Sequence, residues 1–154
     1  MSCQGEKNMD RYKSIGDIDF DPQKDDINFK ICDKNASSSF QYYNDSKGFQ
    51  YKGEKLAIEE KLKSLKIQGN ENSNGYITVR FLVNCEGKAG LFRIQAMNFD
   101  YKEVTVDKNL EAQLLDFTKS LNGWIVKEIN NKKIDYYQYI TYKIEYGKVS
   151  EILP

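Results

Sequence analysis

The sequence predicts an α+β fold, a two-layer sandwich in which two helices pack on one face of a mostly antiparallel sheet. Three observations support this prediction. Two segments carry apolar residues at helical spacing, residues 75–96 alternate as two strands around a glycine-bearing turn, and residues 135–146 alternate as one long strand. Because helices and strands follow each other within one chain of domain size, we expect a single packed domain.

Composition narrows the classes of function. The chain has 154 residues and equal numbers of basic and acidic residues, 23 of each, which argues against nucleic acid or an anionic membrane surface as a partner. It contains no histidine, so neither a Ser-His-Asp nor a Cys-His enzyme is possible. We therefore predict a non-catalytic protein, without cofactor, metal site or catalytic residues.

The first 14 residues are polar and unpatterned, and we interpret them as a flexible tether before a single domain at 15–154. The opening MSCQGEK is similar to the start of a mature bacterial lipoprotein, which would make Cys3 a lipid-attachment residue. On that interpretation the protein is exported to the periplasm or outer membrane of a Gram-negative bacterium. The alternative is an unmodified cysteine in a flexible terminus.

Residues 15–53 form an N-terminal extension. Its DIDFD segment at 17–21 has calcium-loop spacing, but Pro22 and Asn28 replace the glycine and glutamate of that pattern, so we favour solvated turn carboxylates. Residues 27–32 alternate as a short strand, and residues 40–44 are expected to pair with it. The extension is thus predicted to contain a β-hairpin.

The first predicted helix covers residues 53–67, with an apolar stripe at Ile58, Leu62 and Leu65. The second begins at Asp107, a suitable N-cap, and its inward stripe is Leu110, Leu114, Phe117 and Leu121. Asn122-Gly123 is expected to end it in a left-handed conformation. Residues 127–133 are predicted to be a loop, and the tail at 147–154 a last short strand.

From residue 54 to 146 the order of elements resembles the C-terminal domain of TonB-type energy transducers. The matching positions are alternating apolar residues after Gly75, the Glu86-Gly87 turn, the 107–121 helix, Trp124 and the strand around Ile140–Ile144. The resemblance implies that the last long strand lies at the sheet edge and accepts a partner peptide as an added strand. The outward-facing candidates are then Tyr137, Tyr139, Thr141 and Lys143.

Cys32 and Cys85 each lie at the end of a predicted strand, and we favour a disulfide between them. An exported protein lives where disulfides persist, and closing so long a loop would stabilise the fold by about 4 kcal/mol. The bridge would attach the N-terminal extension to the TonB-like half. The alternative is two buried free thiols.

The sequence thus favours a protein- or peptide-binding lipoprotein domain of the cell envelope. A purely structural envelope domain with a covered sheet edge remains open, as does an enzyme using carboxylates or tyrosine. The partner and the oligomeric state are not predicted.

Overall fold

The computed structural model describes residues 17–32, 40–41 and 49–153. Its elements, in chain order, are β1 (Phe40–Gln41), α1 (Glu54–Ser64), β2 (Gly75–Val83), β3 (Ala89–Met97), α2 (Lys108–Ser120), β4 (Lys127–Ile129), β5 (Lys132–Ile134), β6 (Tyr136–Glu145) and β7 (Lys148–Leu153). Among the described residues, neither helix has the length and hydrophobicity needed to span a membrane.

One five-stranded sheet organises the chain, and its long strands are antiparallel. β2 pairs along its whole length with β6 and, on its other side, with β3. Beyond β6 lie two short strands, β7 in antiparallel and β1 in parallel orientation. β4 and β5 form a separate small hairpin. The predicted α+β architecture is confirmed.

Both helices cover the same face of the sheet, which we call the inner face. Their buried residues meet the inward side chains of β2 and β6 in one apolar core, which includes Ile58, Leu110, Leu114, Phe117, Ile77, Val79, Phe81, Ile140, Tyr142 and Ile144. Burial of this size is the main stabilising contribution to a domain of this length. The inward stripe predicted for α2 is confirmed.

Capping explains where α2 begins and ends. The Asp107 carboxylate accepts hydrogen bonds from the backbone N–H groups of Asn109 and Leu110, so the predicted N-cap is confirmed. The predicted stop at Gly123 is wrong, because Leu121 already leaves the helix with extended backbone angles. Gly123 instead lets the Tyr51 ring approach, since a Cβ there would lie only 2.7 Å from a ring carbon.

Helix α1 is shorter than predicted and ends at Ser64. Ile58 is fully buried and Leu62 packs against the core at its margin, but Leu65 lies beyond the helix and is 47% exposed. The predicted three-residue stripe is therefore correct for its first two members. Its third member lies at the surface.

The N-terminal segment (residues 17–32) is not a strand, and the predicted hairpin is wrong for the described residues. Turns occupy its backbone: the N–H groups of Lys24 and Asp25 donate to Asp21, and that of Phe29 donates to Asp26. Phe40–Gln41 pairs in parallel with β6 instead of returning along residues 27–32. Residues 42–44 lie outside the described part of the chain.

The loop predicted at 127–133 is a hairpin. Asn130 and Asn131 connect β4 and β5, and both have positive φ, 51° and 62°. In a two-residue hairpin, a turn with two left-handed residues matches the twist of the flanking strands. Asparagine tolerates the left-handed conformation well. The Asn-Asn pair was therefore a usable sequence signal.

The second face of the sheet, the outer face, is covered at one end by the N-terminal segment. Leu82, Leu91 and Tyr137 form a small apolar cluster there, against which Ile18, Phe29 and Ile31 pack. Apolar residues that looked like strand positions in the sequence thus serve as packing residues on a sheet face. The opposite edge of the sheet, beyond β6, is formed by β1 and β7.

Candidate functional site

The docking edge predicted on β6 is wrong, because β6 is an internal strand. Thr141 and Lys143 are paired with Leu153 and Glu151 of β7, and Tyr137 is paired with Gln41 of β1. Tyr139 lies between these pairings, opposite Arg80 of β2. The C-terminal strand folds back along β6 and takes the place that an added peptide would need.

Most tyrosines of β6 are structural. Tyr136 and Tyr142 are buried in the core, where burial raises the pKa of both phenols above the usual value. Tyr142 shares a 2.8 Å hydrogen bond with Thr118, and Tyr136 donates to the Ile125 carbonyl. Tyr137 is also buried, and its hydroxyl accepts from the Ile18 N–H.

Aromatic side chains are exposed elsewhere, at the uncovered end of the outer face. Tyr76 meets Phe99 edge to face and stacks nearly parallel on Tyr101, with ring centroids 5.7 Å apart in the second pair. Lys143 lies 5.9 Å from the Phe99 ring. Sequence reasoning concentrated on the tyrosines of the last long strand and missed this cluster.

The side of β7 that faces away from β6 is an open edge of the sheet. Among the described residues, no strand pairs with β7 on the side away from β6. A groove of about 480 Å³ runs along this strand, between β7 and the end of α1 with the residues that follow it. We call it the β7 groove.

Apolar side chains line the floor of the β7 groove. Leu62 and Ile67 contribute from the helix side, and Val149 and Ile152 from the strand. Leu65, already half exposed, stands at the rim. The groove therefore combines an unpaired strand edge with apolar surface, the two features that a bound extended peptide uses.

A backbone hydrogen bond joins the two sides of the β7 groove just before the strand begins. There the Gly69 N–H donates to the Gly147 carbonyl at 2.7 Å, joining the two walls. Gly147 has a φ of 75°, and a Cβ at this position would collide with the Asn70 carbonyl. Glycine is needed here both for the left-handed turn and for the close approach.

Positive charge prevails at the groove. Lys63, Lys66 and Lys148 are exposed residues of its lining, against the two carboxylates Glu59 and Glu151. Glu59 also lies 3.9 Å from Lys55 on the same helix, which further offsets its charge. A ligand carrying a carboxylate would meet a favourable potential at this rim.

A second cluster surrounds the disulfide. Cys32 and Cys85 are bonded, with their Cα atoms 6.0 Å apart, as the sequence predicts. The fully buried Asp135 accepts the Cys85 N–H at one carboxylate oxygen and the Cys32 N–H at the other, at 3.0 and 2.9 Å. Cys3, the predicted lipid-attachment residue, lies outside the described residues.

Further contacts hold the N-terminal segment beside this cluster. The buried Asn84 donates to the Lys30 carbonyl and accepts the N–H groups of Glu86 and Lys88, so it also shapes the turn between β2 and β3. Arg93 forms a bidentate ion pair with Asp25, with both distances below 2.9 Å. The Arg93 guanidinium holds the pKa of Asp25 below its usual value.

Sequence reasoning missed Asp135 and Asn84. Both accept or donate hydrogen bonds to backbone groups at least 50 residues away, and Asn84 also makes local turn bonds. No sequence pattern marks such distant pairs. Comparisons with known proteins add no assignment: the chain matches no family model, no curated protein and no solved structure.

Proposed function

We propose that this protein is a non-catalytic binding module that holds an extended peptide segment in the β7 groove. The observation that carries the proposal is the juxtaposition of an unpaired strand edge with an apolar groove beside it. The main chain of β7 would supply hydrogen bonds, and the floor residues would take alternate side chains of the peptide. The docking edge thus moves from β6 to β7.

The bulge and the charged residues of β7 make a short peptide a more suitable partner than the edge strand of another sheet. The pairing of β6 with β7 shifts register between Lys143 and Ile144, which leaves Ser150 as the extra residue of a bulge. Bulges and charged residues on an edge strand oppose long edge-to-edge pairing. A segment of a few residues can still pair on the regular part, Glu151–Leu153.

The charge of the rim indicates the chemistry of the partner. Lys63, Lys66 and Lys148 would attract a peptide with acidic side chains or a terminal carboxylate, and the floor favours an apolar residue next to it. Since these lysines are exposed, the electrostatic contribution should weaken as salt is added.

The disulfide supports an exported location. Structural disulfides persist in oxidising compartments and are rare in the cytosol, so Cys32–Cys85 fits the periplasm or the cell surface. The element order from α1 to β6 is compatible with a TonB-like C-terminal domain. That kinship and lipid attachment at Cys3 stay predictions.

Selection from a displayed library of random linear peptides tests the proposal. We expect the selected peptides to share an apolar residue near acidic ones, and their affinity to fall at least tenfold in a Leu65→Glu variant. The reason is that a new carboxylate at the rim repels acidic peptide and removes apolar contact surface. Titration calorimetry with one selected peptide gives the affinities.

Leu56→Glu is the matched control. Leu56 lies on helix α1, which ends just before Leu65; it is 62% exposed and does not line the groove, so this variant should bind as the wild type does. Equal loss of affinity in both variants, or unchanged affinity in Leu65→Glu, would place the peptide elsewhere.

A further inference from the structure

The side chains around the disulfide form a group of potential metal ligands. Among the described residues, Cys32, Cys85 and Asp135 are the set of three whose ligand atoms lie within 4.8 Å of one another. Thiolate sulfur and carboxylate oxygen are both ligands of zinc, and three protein ligands leave one tetrahedral position for water. While the two sulfur atoms are bonded to each other, they cannot serve as thiolates.

We propose that the reduced protein binds a divalent metal ion of the zinc type through the two cysteine sulfurs and Asp135. A dithiol would give two electrons and two protons to the disulfide and would itself become a disulfide. The two cysteine thiols would then release their protons to solvent as the metal binds. Disulfide and metal are alternative bridges between the same two residues.

Asp135 keeps the two cysteines together when the sulfur–sulfur bond is broken. Its carboxylate accepts the backbone N–H of both residues, and neither hydrogen bond depends on the disulfide. A carboxylate offers about four lone-pair sites on its two oxygens, so Asp135 can bind a metal through one of them while these bonds persist. The sulfurs would separate to about 3.8 Å by rotation of their side chains, as zinc–sulfur bonds of about 2.3 Å require.

Other contacts hold the N-terminal segment independently of the disulfide. Asn84 bonds the Lys30 carbonyl, Arg93 pairs with Asp25, and the Tyr137 hydroxyl accepts the Ile18 N–H. These contacts hold the chain at residues 18, 25 and 30, the last only two residues before Cys32. Reduction should therefore leave the two thiols close enough to share an ion. Both cysteines are half-buried, so an ion can reach them.

Cobalt(II) binding to a Cys3→Ser protein tests the proposal, since that background leaves the two thiols in question. The protein is reduced, freed of reductant without oxygen and titrated with cobalt(II) alone. We expect one ion per chain and a thiolate-to-cobalt charge-transfer band with the intensity of two thiolates. The oxidised protein should give no such band. Absence of the band after reduction, or the intensity of one thiolate, would overturn the proposal.

The role of Asp135 has its own test. Asp135→Asn should weaken cobalt binding at least about tenfold, whereas Asp116→Asn, which removes an exposed carboxylate on α2, should not. X-ray absorption of the zinc-loaded Cys3→Ser protein is a second test, and it does not depend on any Asp135 variant. It should show two sulfur ligands, with oxygen atoms as the other ligands of the zinc ion. Equal cobalt affinity in Asp135→Asn and in its parent protein would contradict the assignment. A zinc shell made of sulfur ligands alone would contradict it as well.

Discussion

The two outermost long strands of the sheet, β3 and β7, differ in what lies beyond them. Against β3 lie the N-terminal segment, which pairs Asp25 with Arg93 and packs Phe29 on Gly90, and the loop in which Glu103 bridges to Met97. Beside β7 lies a groove with an apolar floor and a basic rim. The chain thus packs its own residues beside β3, whereas a groove lies beside β7.

This difference indicates that the β3 side serves the stability of the fold, whereas the β7 side is available for binding. The contacts at the β3 side are a disulfide, an ion pair and ring packing, which are specific attachments of a segment without regular structure. The β7 side carries exposed lysines and a half-exposed leucine, which contribute little to folding. Substitutions at the two edges should therefore separate stability from binding.

The largest expected effect follows from removing the disulfide at the covered side. The double substitution Cys32→Ser with Cys85→Ser should lower the free energy of unfolding by about 4 kcal/mol, because the unfolded chain regains the freedom of a 53-residue loop. Urea unfolding without reductant measures it. Reduced wild-type protein should unfold at the same urea concentration as the variant. A loss below about 1 kcal/mol would show that the bridge does not constrain the unfolded chain as this estimate assumes.

The ion pair at β3 comes next. Asp25→Asn should lower the free energy of unfolding at pH 7 by about 1.5–3 kcal/mol, since the Asp25 side chain is almost fully buried against Arg93. The pKa of Asp25 is lowered from 3.8 in the folded state, so its contribution is complete above that value and is lost as the pH falls through the folded pKa. The gap between variant and wild type should therefore shrink below about pH 4. A gap that stays constant with pH would contradict this account.

Packing of the N-terminal segment on β3 gives a smaller effect. Gly90→Ala places a methyl group about 2.5 Å from the Phe29 ring, and overpacking of this kind costs roughly 1–3 kcal/mol. In a Phe29→Ala background the same substitution should cost much less, because the obstructing ring is gone. Thermal unfolding of the four proteins of this cycle measures the coupling. Additive effects would mean that the ring does not lie on Gly90.

The smallest effect on stability is expected at the accessible edge. Leu65→Glu should change the free energy of unfolding by less than about 0.5 kcal/mol, since Leu65 is already 47% exposed. Its effect on peptide binding is expected to be large, as described above. A loss of more than about 1 kcal/mol in urea unfolding would show that Leu65 is packed and the groove is closed.

The sequence predicted the elements with strong local signals. Alternation fixed the β2–β3 hairpin, and the spacing of Leu110, Leu114 and Phe117 with the cap at Asp107 fixed α2. It failed where tertiary contacts decide. Phe29 and Ile31 alternate as in a strand, yet they pack on a sheet face, because Asp21 and Asp26 turn the backbone before it can pair.

The sequence of β6 alone could not show whether this strand lies at the edge or in the interior of the sheet. Its residues have the same pattern in an edge strand and in an internal one, and only the return of β7 along it makes the difference. Asp135 illustrates the same limit for a site, since its two partners are backbone groups brought from separate parts of the chain.

Amide hydrogen exchange with and without a selected peptide tests the central claim, that β7 is the accessible edge, most directly. The claim predicts slower exchange in the β7 strand, residues 148–153, when peptide is bound, and unchanged exchange in β3, residues 89–97. If bound peptide slowed exchange in β3 and left exchange in β7 unchanged, the claim would be contradicted.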